Sequence, residues 1–80
     1  MPRYHFDSDD GQRQIVDDDG YELSGPEAAQ EEALTLLTSF ARAALKGDGS
    51  RDVRVAVRNE AGDVVYRATM TLRSEWVTQR

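Results

Sequence analysis

The chain reads as a small α+β domain with the order strand, strand, helix, strand, strand: an antiparallel sheet carrying one long α-helix across one face. Three observations predict this. Apolar residues recur with helical period from about 25 to 46, stretches on both sides alternate with period two, and Gly-rich or Asp-rich turns separate them. At 80 residues the chain makes one domain, expected over 1–73 with a C-terminal tail at 74–80. A domain of this size hides only about 60% of its unfolded surface, which favours help from self-association.

The helix comes first because it imposes the rest. Ser24 and Glu27 have capping-box spacing, Pro26 suits a first-turn position, and Gly47 supplies a left-handed stop. Glu27, Glu31 and Glu32 lie near the positive end of the macrodipole, and Arg42 and Lys46 near the negative end. Ala29, Ala33, Leu36, Leu37, Phe40 and Ala44 form the expected buried stripe, with Phe40 set against the valines of a strand. Such a helix is roughly 30 Å long and cannot cover its own stripe. The flanking strands must do so.

Tyr4 and Phe6 alternate with Arg3, His5 and Asp7, giving the first strand. A weaker returning strand is expected from Gln12 to Val16, with Ile15 or Val16 buried, and Tyr21 and Leu23 then lead into the helix and pack over its first turn. Beyond the helix, Val53, Val55 and Val57 alternate with Asp52, Arg54, Ala56 and Arg58. Val64, Tyr66, Ala68, Met70 and Leu72 form the next buried set.

Directly opposed residues of a hairpin share a face, and this limits the register. A three-residue loop sets the valines against residues of the wrong parity and is rejected. The four-residue loop 59–62 is preferred; it pairs Val57 with Val64, Val55 with Tyr66 and Arg54 with Arg67. Because opposed like charges cost about 0.2–1 kcal/mol, the loop 60–63, which pairs Arg54 with Thr69, competes with it.

Composition limits function. The net charge of −5 is uneven, about −7 over residues 1–50 and +2 over 51–80, so the chain is a poor general polyanion binder and only a local arginine face is left for that role. The absence of cysteine removes disulfide and thiolate chemistry and fits the cytoplasm. No apolar run suits a signal peptide or a membrane span. The acidic turns at Asp7 to Asp10 and Asp17 to Asp19 invite a calcium reading, but the EF-hand spacing fails and no metal site is expected. One histidine, His5, excludes a multi-histidine centre; neither a nucleophile nor a phosphate loop accompanies it, so no enzyme and no cofactor are expected.

The residues that remain are Arg54, Arg58, Arg67 and Arg73, which share the outer sheet face with Thr69 and Thr71, and Trp76 in the tail. The arginines are candidates for an anion or partner face, though without the outward aromatics of base-stacking sheets. Trp76 is a candidate partner anchor or a flap over one end of the core.

The chain resembles a family of small bacterial proteins of unknown function. The resemblance rests on Met1-Pro-Arg-Tyr-His-Phe-Asp7, Asp10-Gly11, Asp17-Asp-Asp-Gly-Tyr-Glu-Leu23, the alanines at 28, 29 and 33, and Val57-Arg-Asn-Glu-Ala-Gly62. His5 stands where the family usually has an aromatic residue. The resemblance implies a fold and a bacterial cytoplasmic setting, and it assigns no functional residue. At a more distant level, a strand pair entering an acidic, alanine-rich helix looks like the antitoxin half of some toxin–antitoxin pairs. The expected function is a non-catalytic interaction or regulatory module that binds a protein partner or itself, with nucleic-acid or other anion binding through the arginine face as the alternative.

Overall fold

Alanines at 29, 33 and 41 set how closely the helix lies on the sheet. In the computed structural model, which describes residues 1–44 and 49–78, Ala29, Ala33, Leu37 and Ala41 are the buried stripe of α1 (Pro26–Ala44). They pack on Tyr4 and Phe6 of β1 (Arg3–Asp9), on Val53, Val55 and Val57 of β4 (Gly49–Arg58), and on Ala68 of β5 (Val64–Ser74). Leu36 and Phe40 are only half-buried at the margin, where the Arg13 guanidinium sits 5.6 Å from the centre of the Phe40 ring. The stripe is thus rotated toward the small residues, away from the Leu36 and Phe40 side expected from the sequence. Alanines permit the close approach that a row of large side chains would prevent.

All strand pairs are antiparallel, and β4 lies between β1 and β5. The other edge of β1 is shared by two short strands: β2 (Gln14–Ile15) pairs with Ser8 and Asp9, and β3 (Tyr21–Glu22) pairs with Arg3 and Tyr4. Between those registers the outer chain carries two surplus residues, so 16–20 must bulge away from the ladder. The expected returning strand is therefore shorter than 12–16, and Ile15 and Val16 are 46% and 55% exposed where one of them was expected to be buried. Tyr21, 43% exposed, lies edge-on to Phe6 of β1 at 5.4 Å.

The helix start also differs from expectation. The Ala29 amide donates to the Gly25 carbonyl at 3.1 Å, so Gly25 takes the cap position and Ser24 stands one place outside it. No Ser24–Glu27 capping box forms among the described residues. The expectations at Lys46 and Gly47 lie outside the described residues.

The β4–β5 hairpin takes the three-residue loop rejected on parity and, beyond it, the register expected of the competing loop 60–63. Asn59 and Asp63 close a three-residue loop: the Gly62 amide donates to the Asn59 carbonyl and the Asn59 amide to the Asp63 carbonyl, both at 2.9 Å. Gly62 has φ 90°, the left-handed place such a loop reserves for glycine. The parity conflict that argued against this loop is resolved one step later. Arg58 pairs with Val64 but Val57 pairs with Tyr66, which leaves Val65 as a bulge. From there the register is Val55 with Ala68 and Arg54 with Thr69, so the preferred pairing of Arg54 with Arg67 is not formed. The bulge also exchanges two valines: Val64 pairs with an outer-face residue and is 48% exposed, while Val65 lines a cleft beside the helix.

Candidate functional site

The outer face of the sheet is more acidic than the arginines alone suggest, because β1 brings Asp7 and Asp9 beside β4. Arg58 donates to Asp7 twice, Nε to Oδ2 at 2.7 Å and a terminal nitrogen to Oδ1 at 3.2 Å, and the same terminal nitrogen donates to the Asp17 carbonyl at 3.1 Å. His5, opposite Arg58 across the ladder, donates from Nδ1 to that carbonyl at 2.9 Å, since a carbonyl oxygen can only accept. The Asp17 amide donates to Asp7 Oδ1 at 3.0 Å. These contacts hold the Asp7 carboxyl below its ordinary 3.8, chiefly through the Arg58 hydrogen bonds and in spite of partial burial, and they raise Arg58 correspondingly.

Asp17 is the organiser of this corner. Its carboxylate accepts the Phe6 amide through Oδ2 and the Gly20 amide through Oδ1, each at 3.0 Å, so a side chain replaces the ladder bond that the bulged segment cannot make. Gly20 is required twice over. Its φ is 76°, and a Cβ there would lie 2.8 Å from the Tyr4 carbonyl oxygen and 3.0 Å from the His5 ring.

The neighbouring acidic turn is also satisfied by the chain itself. Asp10 Oδ1 accepts the Arg13 and Gln12 amides at 2.7 and 2.9 Å, which lowers its carboxyl, with Arg13 the larger cause. Asp9 Oδ1 takes the Gly11 amide at 2.7 Å. Among the described residues no group of three or more acidic, histidine or cysteine side chains is placed to hold a metal ion.

Of the four candidate arginines, Arg58 is committed to Asp7, and Arg54 lies 3.7 Å from Asp52 and 4.0 Å from Asp9. Arg67 faces Ala56 and Arg73 faces Ser50, and neither has an ion pair among the described residues. The depression between Arg54 and Arg67, about 160 Å³, also carries Asp7 and Asp9, so its charge is mixed. The four arginines are not one cationic cluster.

A different feature stands out on the opposite side of the hairpin. Strand β5 is 11 residues long and among the described residues pairs with β4 alone, which leaves its other edge of backbone donors and acceptors open there. Beside its start lies a cleft of about 320 Å³ lined by Tyr4, Pro26, Ala29, Gln30, Val65 and Tyr66, among others. Gln30 reaches the Tyr66 hydroxyl at 3.4 Å, which identifies the helix flank that overhangs β5; Leu34, one turn along the same flank, is 44% exposed. Tyr66, Met70 and Leu72 are half-buried along the strand, and Trp76 just beyond its end is 59% exposed, outside the buried core. Of these, the sequence singles out Trp76 as a candidate and does not single out Leu34 or Val65. Leu34 falls outside the expected stripe and Val65 outside the expected buried set, because strict alternation carries no sign of the bulge.

No helix among the described residues is long and apolar enough to cross a membrane. Neither a curated protein nor a solved structure matches the chain significantly. A family model described as a domain of unknown function, DUF6894, matches residues 3–71, nearly all of the sheet and the whole of α1, and the chain therefore belongs to that family.

Proposed function

We propose that this chain is a non-catalytic interaction module that holds a protein partner as an added strand along β5. The observation that carries the reading is the asymmetry of the two sheet edges. On one side, β2 and β3 are short and interrupted, with Asp17, Asp18 and Asp19 between them, which are the usual devices for refusing another strand. On the other, β5 is long, has no proline and no inward charge, and lies beside exposed Leu34 and Val65. Strand addition uses main-chain bonds for affinity and side-chain pockets for selectivity, and both are present here. A chain without cysteine fits the reducing cytoplasm, and we place its work there, in a bacterium.

The test is a comparison of variants in capture from host lysate. Thr69→Lys puts a charge on the open edge, and Arg67→Thr removes an outer-face cation. Partners lost on Thr69→Lys and kept on Arg67→Thr support the edge; the reverse supports the arginine face. That second reading, nucleic-acid or other anion binding, keeps Arg67 and Arg73 as its available cations. With two phosphate contacts its salt dependence would have a log–log slope no steeper than about −2.

A further inference from the structure

We propose that the occupant of the β5 edge is a second copy of this chain, joined antiparallel about a two-fold axis at Thr71 so that two sheets become one. The inference rests on the edge reading above and adds the partner and the register. A two-fold pairing sets residue i against a fixed complementary number, and only even-numbered against even-numbered residues keep both helices on the same side. Few registers survive. Centring on Met70 opposes Arg67 to the partner's Arg73, and centring on Arg67 or Arg73 opposes each to its own copy. Centring on Thr69 sets Glu75 against the partner's Asp63. Centring on Ala68 pairs Arg73 with the partner's Asp63 but carries the ladder into the Val65 bulge, where the backbone spacing is broken.

Centring on Thr71 has none of these faults. On the outer face it sets Arg67, which has no acid of its own among the described residues, against the partner's Glu75, and Arg73 against the partner's Thr69. On the helix side it sets Met70 against the partner's Leu72 and Tyr66 against the partner's Trp76, each partly or largely exposed in the single chain. Within β5 the ladder runs from Ala68 to Ser74, and Glu75 and Trp76, just past the end of the strand, extend it to Arg67 and Tyr66, short of Val65. Each of these pairings occurs twice by symmetry, so one strand supplies a doubled set of cross-strand contacts.

Sedimentation equilibrium over a concentration series reads this directly, with circular dichroism to confirm that each variant is folded. The wild type should pass from the 9.0 kDa monomer to twice that mass. Arg67→Glu and Glu75→Arg should each weaken the dimer by about tenfold or more, because each variant turns two attractive pairs into two repulsive ones. The double variant should return to near wild-type affinity. A dimer with no rescue in the double variant overturns the register, and a monomer at every concentration overturns the second copy as occupant. In the monomer case, loss of captured partners on Thr69→Lys still upholds β5 as a binding edge, whereas a dimer indifferent to Thr69→Lys as well as to the charge swap overturns both readings.

Discussion

Replacing Asp17 by alanine should cost the domain a large part of its stability. The carboxylate accepts the Phe6 and Gly20 amides at 3.0 Å in a partly buried corner, and each bond to a charged acceptor is worth about 1.5–3 kcal/mol. Allowing water to take over part of both, the loss should be about 2–3 kcal/mol against a total of roughly 4–12 kcal/mol for a domain of this length. In urea, with a slope near 1 kcal/mol per molar, the unfolding midpoint should fall by about 2–3 M. Asp17→Asn keeps one carbonyl acceptor and should lose about half as much. Asp18→Ala, on an exposed side chain one residue away, should change stability by less than about 0.5 kcal/mol. Equal midpoints for Asp17→Ala and Asp18→Ala would refute the claim that a carboxylate holds the interrupted edge of β1 together.

Two further outcomes follow from the packing and the charge network. Leu37→Ala should cost about 2–5 kcal/mol in chemical denaturation and Phe40→Ala less, since Leu37 is buried and Phe40 sits at the margin; the opposite order would return the helix to the orientation expected from sequence. Asp7 has its carboxyl lowered by Arg58, so its contribution is present above the ordinary value of 3.8 and is lost as pH falls through the lower folded value. The stability gap between wild type and Asp7→Asn should therefore be open at about pH 5 and close toward about pH 2. A gap that does not change with pH would show that the Asp7–Arg58 contact contributes nothing to folding.

The legible parts of this fold were those where period speaks for itself. The valines of β4 and the alanines of α1 repeat often enough that local pattern and tertiary burial agree. The misses are long-range. Nothing near Arg54 or Arg58 in the chain announces that Asp9 and Asp7 will lie across the ladder from β4, so four arginines looked like one face. The Asp17 side chain works by reaching a backbone 11 positions earlier, which no spacing rule anticipates. Ile15 and Val16 look buried in a list of residue types, yet a two-residue strand at a broken edge has no covering layer to offer them. The parity argument for the hairpin was sound in itself; it lacked only the bulge.

That bulge gives the hairpin a tolerance that strands rarely have. Removing one residue from a strand ordinarily works like a frameshift, turning every side chain beyond it to the wrong side of the sheet. Here Val64 already faces Arg58 and Tyr66 already faces Val57, so the chain holds a spare letter at Val65. A deletion of that one residue leaves the message from Tyr66 to Ser74 in frame. A single deletion inside β4, between Val53 and Val57, has no such slack and scrambles the two sides of the sheet at once.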